Sequence, residues 1–192
     1  MSERPAAAPA PALGALETTS VARGHHAGDE MVKAAHVRLL RAEALSPGKY
    51  WVVVSGTVAD VESSLRMGLR AAGETLIDSL FIPNLHPGVL PALTGTAPPP
   101  PQAALGIVET ASAAAGVRAA DRALKTAPVE LHELRLANGL GGKAYFTLSG
   151  SVSDVNAAVE AAEREAAASQ QFVASQVLPR PHRDFLAGAV GR

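Results

Sequence analysis

The side chains that could do chemistry here are a few histidines, carboxylates and lysines, and their spacing is informative. There are six His. His25 and His26 are adjacent, so on a helix they point about 100° apart and make a poor metal pair. His86 and His182 stand in matching places downstream of a proline, which suggests a structural turn role. Asp29/Lys33 and Asp121/Lys125 are spaced i, i+4, so each pair shares a helix face and forms a helix-stabilising ion pair. Glu17 and Glu109 recur at the ends of strands with no obvious partner base, as structural carboxylates do. There is no Cys, which excludes a disulfide framework, a Cys zinc site, a thiol nucleophile and a cysteine-ligated iron–sulfur cluster. No H-E-x-x-H, P-loop, G-x-G-x-x-G or G-x-S-x-G occurs. No nucleophile or acid/base set emerges, no cofactor or metal is implied, and the chain does not read as an enzyme.

Composition narrows the classes further. The 192 residues carry 17 basic and 18 acidic side chains, a formal charge of -1, which argues against nucleic acid or an anionic membrane as partner. No apolar run approaches the ~20 residues that span a bilayer, and no targeting pattern is visible, so the chain reads as cytosolic. The apolar share is 47% with only 4% aromatic, so elements can pack closely around small side chains.

Those residues sit in a unit written twice. Ala12–Ala35 and Ala104–Ala127 align at an offset of 92 with 12 identities in 24 positions, including the patterns ALG..ET and D...K.A. Lys49 and Gly56 match Lys143 and Gly150 at offset 94, and Pro83 and His86 match Pro179 and His182 at offset 96. The second copy therefore has two extra residues, Asn138-Gly139, in the loop before Lys143. The organisation expected is a disordered Ala/Pro tail over 1–11, a first domain over 12–91, a Pro-rich linker over 92–103 and a second domain over 104–192. Pro91 to Pro101 reads as stiff and extended. Each copy reads as a strand (12–17; 104–109), a helix (19–35; 111–127), a strand (37–45; 129–136), a Gly/Pro-rich loop and a strongly β-prone run (49–55; 143–149). A second helix N-capped by Thr57 or Ser151 follows, with Asp60 or Asp154 three residues on, then a strand ending at Pro83 or Pro179. The order β-α-β-β-α-β implies an α/β (α+β) domain with an antiparallel or mixed sheet and helices on one side.

These motifs resemble the bacterial microcompartment shell-protein domain. The second copy carries Ala104-Leu-Gly-Ile-Val-Glu109, Asp121 to Lys125, Val129-Glu-Leu131, Gly150 and Leu178-Pro-Arg-Pro-His182; the first is more divergent and closes Ile82-Pro-Asn-Leu-His86. Two copies in one chain are similar to the tandem, trimer-forming class. Both open with ALG and close with P..H, as in the unpermuted, single-layer type. The resemblance implies two ferredoxin-like-variant domains per chain and a homotrimer that acts as a pseudohexagonal facet tile. Such a tile meets hexameric and pentameric shell proteins laterally, encloses enzymes in a cytoplasmic shell and passes small metabolites through a central pore. A tandem subtype holds an iron–sulfur cluster at that pore through cysteine, which a chain without Cys cannot do. The pore would be lined by Ser46, Pro47 and Gly48 and by Leu140, Gly141 and Gly142, flanked by Lys49, Asn138, Gly139 and Lys143. Tile edges would carry Lys33, Lys125, Arg180 and His182, with Asn84 where the first copy lacks the arginine.

Bland readings stand beside these. The loops could be ordinary hairpin connections. Lys49 and Lys143 either raise the potential near an opening and favour anions, or are solvated strand starts. Three charges reverse between copies at offset 92, Arg38/Glu130, Arg41/Glu133 and Glu43/Arg135, either because some lie at contacts between the two domain types or by drift on solvated faces. The alternative to a shell tile is a small-molecule-binding or regulatory trimer of ferredoxin-like domains.

Overall fold

The β-prone run after Lys49 forms a strand because its β-branched and aromatic residues suit a pleat buried on both faces. Tyr50, Val52 and Val54 point one way and Trp51 and Val53 the other, and all five are buried. The computed structural model describes residues 11–98, 103–137 and 139–189; most of the expected Ala/Pro tail, linker residues 99–102 and Asn138 lie outside the described residues. The first half runs β1 (Ala12–Thr18), α1 (Val21–Ala34), β2 (Arg38–Leu45), β3 (Lys49–Gly56), α2 (Val58–Ala72), a short 3-10 turn, β4 (Leu76–Ile82) and α3 (Val89–Thr94). The second repeats it as β5 (Ala104–Thr110), α4 (Ala113–Thr126), β6 (Glu130–Leu136), β7 (Ala144–Gly150), α5 (Val152–Ala168), β8 (Phe172–Leu178) and α6 (Arg183–Ala189). Each half holds a four-stranded antiparallel sheet, ordered β2-β3-β1-β4 and β6-β7-β5-β8.

Helix starts are fixed by hydroxyl caps. Ser20, Thr57, Ser112 and Ser151 accept the N–H of Arg23, Asp60, Ala115 and Asp154, each satisfying one N–H that the first turn leaves without a partner. Asp60 and Asp154 reinforce the caps differently from a capping box: their carboxylates accept from the Thr57 and Ser151 hydroxyls (2.7 and 2.6 Å).

The region read as a stiff extended linker from Pro91 is partly helical. Pro91 falls in the first turn of α3, where a missing N–H is tolerated because those groups have no acceptor inside the helix. Val89, Ala92 and Leu93 are buried in the core that the two halves share, where α3 lies beside β6 and α4 of the second half.

In the first half α1 and α2 cover one face of the sheet, with Met31, Val61 and Leu65 on Leu16, Val52 and Val54. The other face is covered too. There Leu13, Ala15, Trp51, Val53 and Leu80 share one core with Leu85, Val89 and Leu93 and with Ala113, Val117 and Leu124 of α4. The second half's first helix thus packs between its own sheet and the first half. Ala113, Ala114, Val117 and Leu124 of α4 are buried, whereas their repeat counterparts on α1, Val21, Ala22, His25 and Val32, are exposed.

The two copies of this helix differ in tolerance at one position. A Cβ on Gly24 would overlap the Tyr50 Cβ and ring, while a Cβ on Gly116 would sit 3.0 Å from the Ala144 Cβ and 3.2 Å from the Thr110 hydroxyl. Gly24→Ala should therefore destabilise the protein by about 2 kcal/mol from overpacking. Gly116→Ala should change stability by less than about 1 kcal/mol, because the helix preference of Ala over Gly offsets the tight contact. Urea unfolding midpoints of the two variants check the contrast.

Candidate functional site

The β2–β3 and β6–β7 loops are where the sequence puts candidate function, and glycines shape both. Gly48, Gly139, Gly141 and Gly142 have φ of 77°, 75°, 62° and 90°, a region that a side chain disfavours. The longer second loop is closed on itself: Ala137 N–H donates to Lys143 O (2.8 Å) and Leu140 N–H to Ala137 O (3.1 Å). The structure brings the two loops together. Lys49 Nζ donates to Gly142 O (3.2 Å), and a Cβ on Gly142 would lie 3.2 Å from Pro47 Cδ. The two loops thus meet through Pro47, Lys49 and Gly142, on the junction between the halves.

The lysines after the loops are not free cations, as a reading of raised potential would require. Lys49 Nζ lies 2.7 Å from Glu17 Oε1, and the Glu17 side chain is wholly buried. Its other oxygen accepts the N–H of Ala113, the first residue of α4 (2.9 Å). A carboxylate at a helix N-terminus is favoured by the partial positive charge there. In the second half Lys143 pairs with Glu109 at 3.0 Å, but both remain half-exposed. Each glutamate thus pairs with a lysine, as a structural carboxylate does. Glu17 stands opposite Trp51, so Lys49, two residues along β3, is its diagonal neighbour on the same face. That relation needs the strand register, which sequence spacing does not supply. Glu109 borders a cavity of about 350 Å³ with Ile107, Leu140, Lys143, Ala144 and Tyr145. Burial raises the pKa of the Tyr145 hydroxyl above its usual value, so the phenol stays neutral.

A second polar cluster ties the halves together, and sequence reasoning missed it. Arg118 of α4 grips Asp78 of β4 with both Nη atoms (3.2 and 3.1 Å), and also bonds the Ser79 carbonyl and the Ser169 hydroxyl. Ser112 donates to the same Asp78 (2.5 Å). Fork geometry of this kind suits Arg and carboxylate. Asp121 bridges the junction as well, accepting the His86 N–H (2.8 Å) and the Lys125 ammonium (2.5 Å). His132 pins the connection by contacts to Pro98 O (2.8 Å) and the Ser149 hydroxyl (2.7 Å). The only available signal was the departure from the repeat: Asp78, Arg118 and His132 align with Ala174, His26 and Leu40.

The residues expected at edges lie on the surface. Lys33 is 64% exposed and pairs with Asp29; Asn84, Arg180 and His182 are exposed. Lys125 borders the junction beside Pro83. His86 and His182 have the turn role expected, since each ring Nδ1 accepts a backbone N–H two residues on, from Gly88 and Asp184. Of the reversed charges, Arg41, Glu43 and Arg135 line one small cavity at the junction. Their ion pairs run within each strand, Arg41–Glu43 at 2.7 Å and Glu133–Arg135 at 3.7 Å, while Arg41 also reaches Leu93 O (2.5 Å). Among the described residues no cluster of His or carboxylates could hold a metal ion, and no helix is long and apolar enough to cross a membrane.

Comparison with known proteins places this geometry. The BMC domain matches residues 12–85 and again 104–181. The chain is 45% identical to bacterial microcompartment shell protein PduT of Citrobacter freundii, over 91% of this chain and 95% of that one. It is 32% identical to carboxysome assembly protein CcmO of Synechococcus elongatus, over 91% of this chain and 67% of that one. A crystal structure of a microcompartment protein from Desulfitobacterium hafniense DCB superposes with a TM-score of 0.84 at 42% identity, covering 94% of this chain and 99% of the other.

Proposed function

The chain belongs to the BMC-domain family of microcompartment shell proteins, and from that premise we propose that three copies close into a pseudohexagonal ring with the converging loops around its axis. The chain is a structural facet tile of a microcompartment shell, not an enzyme, and it assembles into facets with other shell proteins. The homotrimer and the pore are the finer part of the reading.

One observation carries them. The contact between the halves is made once inside the chain, α4 against β4 and α3, and its repeat-related counterparts are left exposed. Val21 and Val32 on α1 and Val173 and Phe185 at the β8–α6 edge are all open to solvent. A surface and its complement on opposite ends of one chain make a head-to-tail contact, which closes into a ring when the rotation per step divides a full turn. Two near-equivalent units per chain make six positions from three chains. The meeting of Pro47, Lys49 and Gly142 at the internal junction supports an axis bordered by every loop. The lining would then be Ser46, Pro47 and Gly48 alternating with Leu140, Gly141 and Gly142, with Asn138 and Gly139 at the rim, an uncharged set that selects by size and polarity. Exposed Lys33, Asn84, Arg180 and His182, with Lys125 at the junction, are the side chains for lateral contact with hexameric and pentameric tiles.

Light scattering coupled to size exclusion should give three times the 19.6 kDa chain mass, and electron microscopy with partner shell proteins should show flat sheets or closed particles. A monomer at every concentration would overturn the ring. A discrete trimer that binds a small molecule saturably and never tiles would favour the regulatory alternative.

A further inference from the structure

Resting on the ring reading, we infer that Glu109 is the latch between copies: its carboxylate accepts the N–H of Val21 of a second copy, as Glu17 accepts that of Ala113 within the chain. The internal example is fully formed. Glu17 Oε2 lies 2.9 Å from Ala113 N, and Lys49 holds the other oxygen at 2.7 Å. The second half repeats every part but the last. Glu109 stands opposite Tyr145 on β7 as Glu17 stands opposite Trp51 on β3, and Lys143 holds it at 3.0 Å. What is missing is the helix start, and a cavity of about 350 Å³ stands beside Glu109 instead. The repeat also supplies the occupant. Ala113 corresponds to Val21 at offset 92, which opens α1 after the cap Ser20 and is 38% exposed. The N–H of a first helical residue has no acceptor within its own helix, and a carboxylate facing it gains from the helix dipole and from charge-assisted hydrogen bonding.

The latch weighs more between copies than within one. The internal junction also has the Arg118–Asp78 fork. The corresponding positions at the outer seam are His26 and Ala174, which cannot form it. The carboxylate-to-helix contact is a charged element that both seams can share, alongside the Asp121–His86 contact, whose counterparts are Asp29 and His182.

The test is the trimer–monomer dissociation constant of the full chain, by sedimentation over a concentration series. Glu109→Ala removes the acceptor at a half-exposed site, so the chain keeps its fold by circular dichroism while the trimer weakens at least tenfold. Val21→Pro removes only the donor: proline is favoured at the first helical position, and Ser20 already has the extended backbone (φ -128°, ψ 120°) that a following proline requires. It should weaken the trimer to a similar degree, while Val21→Ala, which keeps the N–H, should lose much less. Wild-type affinity in Glu109→Ala and Val21→Pro, or equal losses in Val21→Pro and Val21→Ala, overturns the latch and leaves the ring standing. A wild-type chain that never associates overturns the ring itself.

Discussion

Replacing Trp51 with alanine should lower the unfolding free energy by about 4 kcal/mol, in the range for large-to-small changes of a buried aromatic. Trp51 is the sole tryptophan and is wholly buried, on the sheet face turned away from α1 and α2. It belongs to the core that also holds Leu85, Val89 and Leu93 of the α3 region and Ala113 and Val117 of α4. The truncation therefore opens a hole where the halves join, and small alanine neighbours cannot collapse far enough to fill it. Trp51→Phe should lose much less, under about 1.5 kcal/mol. The indole N–H is buried without a partner among the described residues, and removing an unsatisfied donor returns part of the loss in packing. Tyr145, the repeat counterpart, is only partly buried, so Tyr145→Ala should cost less than Trp51→Ala in the separated chain. Urea unfolding followed by circular dichroism measures all three. Equal losses at Trp51 and Tyr145 would mean that the internal junction contributes nothing to the core.

The repeat made most of the architecture readable. ALG..ET marks a strand entering a capped helix, and the Lys-led β-prone run marks the central strand, so the β-α-β-β-α-β order follows in each half. The caps at Thr57 and Ser151 were readable because hydroxyl and Asp spacing act locally. The helices α3 and α6 were not. Each spans only six or seven residues, too short to be stable alone, and α3 carries a proline. It forms because Val89 and Leu93 are buried in the core shared by the two halves, beside β6 and α4, a fact of tertiary structure. The same holds for the ion pairs. Asp29/Lys33 and Asp121/Lys125 are visible from helical spacing, whereas Glu17–Lys49 and Asp78–Arg118 join residues 32 and 40 positions apart and require register and domain packing. Composition did hold one unused signal about which helix lies at the junction. Where α1 has Arg23 and His25, α4 has Ala115 and Val117, and α4 is the helix buried on two sides. The loops are a different case. Their glycines show where a backbone turns, but their meeting at the junction depends on how the two sheets are set side by side.

The same two residue types at the same register give a sharp comparison of environment. Lys49→Met should destabilise the chain by about 3–5 kcal/mol, the usual result of leaving a buried charge without its partner. Glu17 is wholly buried and Lys49 only 17% exposed, so water cannot replace the ammonium, and the Ala113 N–H alone remains to hold the carboxylate. Lys143→Met should cost no more than about 1 kcal/mol in the separated chain, because Glu109 and Lys143 are 38% and 50% exposed and solvent screens such a pair. Adding Glu17→Gln to Lys49→Met should recover much of the loss, since no uncompensated charge is then buried. Denaturant unfolding of the single and double variants at low protein concentration gives the cycle, and equal costs for the two lysines would show that the internal junction does not shield Glu17. Repeating the measurement at concentrations where copies associate separates local from assembled effects. A neighbouring helix start placed over Glu109 makes its surroundings resemble those of Glu17, so the cost of Lys143→Met should rise towards that of Lys49→Met, while the cost at Lys49, already covered within its own chain, stays where it was.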